Sequence, residues 1–288
     1  MTKRFREKLS ASLSSKEIAK VYTSFDIVGD IAIIKTPNDN DVNPQDVATQ
    51  IMVVHKNVKT VFVQTSPIFG DFRIRQLKLL TGENKTDTKH RESGCVFAVD
   101  VGKCYFSPRL LGERSRVAGL VSPGETIINM FAGVGCFSVI IAKKVHQTKV
   151  YSIDINPVAV QYMKENIRVN RVYSKIVPLL GDSKEIIEAE LQGKADRVLM
   201  PLPELALQYL PSAFMALKKE GGWIHYYDFE HAIGKEDPVE KTKIKVAKKL
   251  DSLGVGYVFA FSRVVRSTGP NWYQTVLDIH VSQLPSKF

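Results

Sequence analysis

The sequence is poor in cysteine. Its 288 residues contain three, Cys95, Cys104 and Cys136, and no two have the close spacing of a zinc ligand set or a small disulfide framework. A disulfide-built secreted scaffold and a zinc site are therefore excluded, no metal is expected, and a reducing cytoplasm fits. Long apolar runs are also missing. No stretch reaches the roughly 20 residues of a membrane span, and the basic N-terminus MTKRFREKLSASLSSKEIAK has no apolar segment to serve as a secretory signal. Internal repeats and low-complexity tracts are absent, and hydrophobic residues at 44% are too many for a disordered chain. Acidic residues are in deficit: 30 Asp and Glu face 40 Lys and Arg, a formal charge of +10. Such an excess suits a polyanion, most commonly nucleic acid, although a plain basic soluble protein has it too.

Two halves differ in character. The first is expected to open with a basic helix to about Ala19. FDIVGDIAII reads as two short strands around a glycine turn. DVNPQDVATQIMVVHKN reads as a helix with Val47, Ile51 and Val54 on its apolar face. TVFVQT is a strand, and TDTKHRESGCVFAVDV a hairpin around Glu92, Ser93 and Gly94. This half is mixed and mostly antiparallel. From Ser122 onward, strands TIINMF, KVYSID, KIVPLL, RVLMPL and GGWIHYYDF alternate with helices, notably NPVAVQYMKENIRVN. VGYVFAF and WYQTVLDIHV follow a basic helix. The alternation predicts a parallel, doubly wound α/β sheet. LVSPGE punctuates the chain between the halves, giving an α+β domain over 1–118 and a larger Rossmann-like domain over 119–288.

The chemistry gathers at strand ends. FAGVGCF follows the first strand of the second half, where small residues let the backbone approach a ligand and the next helix offers its N-terminus. Asp154 closes the second strand, where a carboxylate can accept from ribose hydroxyls; it can equally cap a helix beginning at Pro157. Asp182 follows the third strand and suits an adenine amine or, again, a helix cap. Loop, ribose acid and adenine acid stand in the order of a nucleoside site. Ser138 replaces the third glycine of a dinucleotide loop, and no Walker lysine is present, so S-adenosylmethionine is favoured over a nicotinamide. Pro201-Leu202-Pro203 breaks the fourth strand and turns carbonyls outward, or simply makes a turn before a helix near Glu204. Arg73, Arg75, Arg109, Arg114 and Arg116 suit phosphate and guanine edges, or surface ion pairs. Glu113 sits among them: in a cleft it can take a proton, otherwise it is half of an ion pair.

The blocks FDIVGDIAI, FRIRQLKLLTGENKT, VDVGKCYFSPRLLGER, MFAGVGCFS, IDINP and GGWIHYY together resemble the archaeal and eukaryotic tRNA (guanine-37-N1)-methyltransferase family and the related wybutosine-pathway transferases. The resemblance runs from about Arg4 to the end. It implies a class I methyltransferase domain using S-adenosylmethionine, a cytoplasmic and monomeric enzyme, and the anticodon stem-loop of tRNA as partner. Carried over by residue, it implies that Arg73 bonds the target guanine, Glu113 removes the N1 proton, and Pro203 shapes the catalytic bend. It implies a cofactor wall of Tyr105, Arg109, Phe131, Gly133, Gly135, Ile155 and Pro201, with Asp154 on the ribose and Asp182 on the adenine.

Three departures stand out. Pro201 replaces an asparagine that family members commonly use to hold the guanine. Asn129 stands where an aspartate is more usual. The sequence starts near the second domain of many archaeal members, so recognition is expected to rely on the anticodon region or a partner. Two rival readings share these motifs: an aminocarboxypropyl transferase of the wybutosine pathway, against which PRLLGER and HYYDF argue, and a tRNA-binding protein without catalysis.

Overall fold

The computed structural model describes residues 25–35 and 43–283; the expected helix up to about Ala19 lies outside them. The chain forms two compact units, Met1–Gly112 and Glu113–Phe288.

In the first unit, Asp26–Val28 (β1) and Ile31–Ile34 (β2) pair antiparallel around Gly29 and Asp30. Helix Pro44–Val54 (α1) is capped by Asn43, whose side chain accepts from the Gln45 N–H, with Pro44 in the first turn where no N–H is needed. Val47, Ala48 and Ile51 are its buried residues; Val54, expected on the same face, packs partly buried against that cluster. The helix carries the chain across the sheet, so Thr60–Gln64 (β3) runs parallel to β2. Leu77–Gly82 (β4) completes the four-stranded sheet antiparallel to β3. Asp87–Glu92 (β5) and Cys95–Asp100 (β6) make the expected hairpin. Its turn residues, Ser93 and Gly94, have φ of 50° and 73°, the positive pair that matches a two-residue turn to strand twist.

Helix Leu111–Leu120 (α2) spans the division between the units at Gly112 and Glu113. The boundary expected at 118/119 therefore falls within a helix. Its side chains explain this: Glu113 and Arg116 bond to strands of the second unit, and Val117 and Ala118 are buried.

The second unit alternates Thr126–Asn129 (β7), Cys136–Lys144 (α3), Lys149–Asp154 (β8), Pro157–Val169 (α4), Ile176–Leu180 (β9) and the short Ser183–Ile186 (α5). Arg197–Met200 (β10), Ala206–Ala216 (α6), Gly222–His231 (β11), Pro238–Leu253 (α7), Gly256–Gly269 (β12) and Trp272–Gln283 (β13) follow. The sheet order is β12-β13-β11-β10-β7-β8-β9. Five strands, β7 to β11, are parallel; β13 is antiparallel to both of its neighbours. The reason is the connection: only Pro270 and Asn271 separate β12 from β13, too few for a parallel crossover. On one face Met130, Val198, Ile224 and Leu277 pack with Leu210 and Phe214 of α6 and Val246 and Leu250 of α7. Successive strands run outward from β7 and from β10 in opposite directions, so a crevice opens between their carboxyl ends.

Candidate active site

The loop leaving β7 lies at that crevice. Gly133 and Gly135 take φ of 57° and 88°, and Gly135 caps α3 in the left-handed region. A Cβ on Gly135 would stand 2.8 Å from Met163 Cγ of α4, so the position is closed to side chains by backbone and neighbour alike. Ser138, where a dinucleotide loop has glycine, is fully buried and joins two strands: it meets Asn129 Nδ2 of β7 at 3.1 Å and Ser152 Oγ of β8 at 2.7 Å.

Asp154 is not the cap of α4; Asn156 is, accepting from Val158 and Ala159 N–H. Asp154 instead ties the loop to β8. Its Oδ2 accepts from Gly133 N–H at 2.6 Å and its Oδ1 from Asn156 N–H at 2.9 Å. Burial raises its carboxyl against those two bonds, and each oxygen keeps a lone pair for a hydroxyl. Asp182 does cap α5, accepting from Lys184 N–H at 2.7 Å, while its Oδ2 accepts from Tyr209 O–H at 2.5 Å. The Tyr209 ring stands edge-on to Phe131 at 5.2 Å.

This edge fits a nucleoside. Ile155 and Leu180, the apolar residues at the ends of β8 and β9, are 45% and 55% exposed, surface that a purine face would cover. Two buried polar atoms here, Asn129 Oδ1 and Ser183 Oγ, have no hydrogen-bond partner, the kind of group a polar ligand satisfies. Pro201 and Leu202 are half-buried and Pro203 buried, with a turn closed by Leu205 N–H on Leu202 O; α6 begins at Ala206, just beyond the expected Glu204.

Glu113 lies in a closed ionic cluster. Its side chain is fully buried. Oε1 accepts from Tyr227 O–H at 2.8 Å and Arg116 Nη2 at 2.7 Å, and Oε2 accepts from Arg263 Nη2 and Arg116 Nε. Burial alone would lift its carboxyl, but Arg116, then Tyr227 and Arg263, outweigh that and hold it below the usual glutamate range. The Tyr227 ring packs on Phe137, next to the glycine loop, with centroids 6.3 Å apart. Register agrees: Met200 pairs with Tyr226, so Tyr227 is level with Pro201, just past the end of β10.

Arg116 also holds Asp278 of β13, Nη1 to Oδ2 at 2.5 Å and Nη2 to Oδ1 at 3.0 Å. Asp278 Oδ1 stands 2.6 Å from His225 Nδ1, and His225 Nε2 stands 2.8 Å from Arg197 Nη1. Arginine can only donate, so Nε2 is the acceptor and Nδ1 carries the proton given to Asp278. Arg197 then grips Glu125 at 2.7 and 3.0 Å. Burial pushes His225 down despite Asp278, keeping it neutral. The result is one chain of bonds, Tyr227–Glu113–Arg116–Asp278–His225–Arg197–Glu125, with every member in the second unit.

Of the other arginines singled out in the sequence, Arg73, Arg75 and Arg109 are in the first unit, and Arg114 is buried on α2. Arg73 sits at φ 54°, a left-handed conformation that costs a branched backbone about 1–2 kcal/mol, with its guanidinium over the Tyr105 ring at 5.7 Å. Arg109 pairs with Asp26 at 2.7 Å, and Arg75 approaches the same carboxylate at 3.8 Å. Arg75 and Arg109 thus anchor β1. Sequence reading missed Tyr209, Tyr227, His225, Arg263 and Asp278. HYYDF carried a signal, a histidine and two tyrosines within a parallel strand; Asp278 within WYQTVLDIHV carried none.

Comparison with known proteins places this geometry in a family. A TRM5/TYW2 methyltransferase domain model matches residues 88–253, and a TYW2 N-terminal domain model matches 5–86. The chain is 42% identical over 261 residues to the tRNA (guanine(37)-N(1))-methyltransferase Trm5b of Pyrococcus abyssi, covering 90% of this chain and 75% of that protein. It is 37% identical to the tRNA 4-demethylwyosine(37)-methyltransferase Taw21 of Saccharolobus solfataricus, covering 90% of this chain and 94% of that one. It superimposes on the complex structure of aTrm5 and tRNALeu with a TM-score of 0.81 at 34% identity, covering 98% and 79% of the two chains. With a family model over more than half its length, and a glycine loop, two strand-end acids and a buried glutamate, this chain belongs to the TRM5/TYW2 methyltransferase family.

Proposed function

We propose that the chain transfers a methyl group from S-adenosylmethionine to N1 of guanosine 37 in tRNA. The observation that carries this is the link from Glu113 through Tyr227 to Phe137, the second residue of the helix that follows the glycine loop. The names of the Pyrococcus abyssi relative and of the tRNA complex support the substrate.

In this reading Gly133 and Gly135 let the backbone approach the cofactor, Asp154 holds the ribose hydroxyls and Asp182 the adenine amine. Phe131, Ile155 and Pro201 would flank the cofactor, and the family resemblance assigns Tyr105 and Arg109 to its wall. S-adenosylmethionine supplies an activated methyl on a sulfonium. Guanine N1 is protonated at neutral pH, so the protein's task is to take that proton and steady the charge spreading to O6. Glu113 would accept the N1 proton; the donor, when bound, would supply the methyl and keep the electron pair of its sulfur–methyl bond. Arg73 donates to O6, and its position over Tyr105 keeps the guanidinium plane fixed. Pro203 maintains the bend at the end of β10. The reading includes a cytoplasmic monomer acting on the anticodon stem-loop, for which the family resemblance is the support.

The test is single-turnover reaction of the protein with unmodified tRNA and S-adenosylmethionine, with the product nucleoside identified by mass. A methylated guanosine at position 37 is expected; an aminocarboxypropyl adduct, or no product, overturns the reading. Glu113→Gln and Arg73→Ala are each expected to slow the step about 100-fold or more, and near wild-type rates for both would remove them from these roles.

A further inference from the structure

Glu113 as found is surrounded by cations. Arg116 on its own helix and Arg263 on β12 both donate to it, and Tyr227 on β11 adds a neutral donor. A carboxylate so neutralised is a poor base. The fourth element of the cluster, β13, brings the one opposing charge: Asp278, which takes both terminal nitrogens of Arg116. We propose that Asp278 is a positioning residue for methyl transfer, dividing the Arg116 guanidinium with Glu113 and so keeping Glu113 basic enough to take the guanine proton. The proposal rests on the reading of Glu113 as the base.

The geometry supports a set position rather than an incidental ion pair. Asp278 has a side chain 4% exposed and is held from the far side by His225 Nδ1, itself fixed by Arg197 and Glu125. Two partners, through three hydrogen bonds, thus fix this carboxylate. Its negative charge acts on Glu113 through one guanidinium, in a dry interior where such influence is strong. Asp278→Asn would leave Arg116 to Glu113 alone and delete a like charge nearby. Both changes lower the proton affinity of Glu113.

The experiment is a pH profile of single-turnover methylation by the full chain with unmodified tRNA, for wild type, Asp278→Asn, Asp278→Glu and Glu113→Gln. For Asp278→Asn the plateau rate should fall, up to roughly tenfold per unit of basicity lost. The acid limb of the profile should also move to lower pH, with tRNA and donor affinity unchanged. Asp278→Glu, which restores the charge, should restore the limb. Asp278→Ser, which deletes the charge and leaves room for water, repeats the test if the asparagine variant does not fold. A slower rate with an unmoved limb means Asp278 only braces the fold, and overturns the proposal. A wild-type profile for Asp278→Asn while Glu113→Gln is slow overturns this proposal alone; a fast Glu113→Gln removes the base reading itself.

Discussion

At the scale of the residue, Asp278 has a second consequence. Burial alone would raise its carboxyl, but the His225 bond and Arg116 outweigh that and bring it to about 2, below its ordinary 3.8. A group lowered on folding stabilises the native state above its unfolded value and loses that contribution as pH falls through its folded value. At about 1.4 kcal/mol per unit, the shift contributes roughly 2 kcal/mol that disappears between about pH 4 and pH 2. Urea unfolding across this range should show wild-type stability falling more steeply with acid than that of Asp278→Asn. At neutral pH the variant should be less stable, because Arg116 and His225 keep their burial and lose a partner. Parallel curves would refute the assignment. Residues of this kind were hidden in the sequence. Asp154 and Asp182 were legible because a strand, a turn and an acid are neighbours in the chain. Asp278 and Glu113 lie 165 positions apart by number (278 − 113), and only Arg116, which bonds both, joins them.

At the scale of the element, the glycine loop was legible and its tolerances are now definable. Gly135→Ala combines a left-handed backbone, costing about 1–2 kcal/mol, with overpacking on Met163, costing about 1–3 kcal/mol. A loss of about 2–5 kcal/mol in unfolding free energy is expected, with weaker donor binding by calorimetry; a variant as stable as wild type would mean that Met163 yields freely. The parallel strands announced themselves through apolar runs between turn signals. Two elements did not. β4 has no fully buried residue, four being half-buried and Lys78 and Gly82 exposed, so its alternation is blurred. α2 carries only a weak apolar face because its buried positions include Glu113 and Arg114, charges that sequence patterning assigns to the outside. β12 reaches Gly269, well past the VGYVFAF run, because pairing with β13 carries the polar Ser262, Arg263 and Arg266 along.

At the scale of the whole molecule, charge is the clearest signal. An excess of +10 on a protein whose proposed substrate is tRNA predicts affinity that falls steeply with salt. For single-stranded or loop contacts the slope of log affinity against log salt is about −0.7 per phosphate neutralised. Filter binding or fluorescence titration from low to physiological salt measures it, and a flat response would exclude the basic excess as the docking surface. The α/β fold was legible from the strand–helix alternation and the family from its motif blocks, with the charge adding only a polyanionic partner; the bonds around Glu113 were not legible.

The place of β13 also has a meaning in time. It is the last strand of the sheet to be translated, yet it lies inside the sheet between β11 and β12. While a nascent chain is short of it, β11 and β12 have no common neighbour, and Arg116 and His225 have no carboxylate to share. The glycine loop and both strand-end acids are by then already made. A chain ending between Tyr209 and Asp278 would contain every residue of the proposed donor cradle and lack the carboxylate proposed to balance the charge around Glu113.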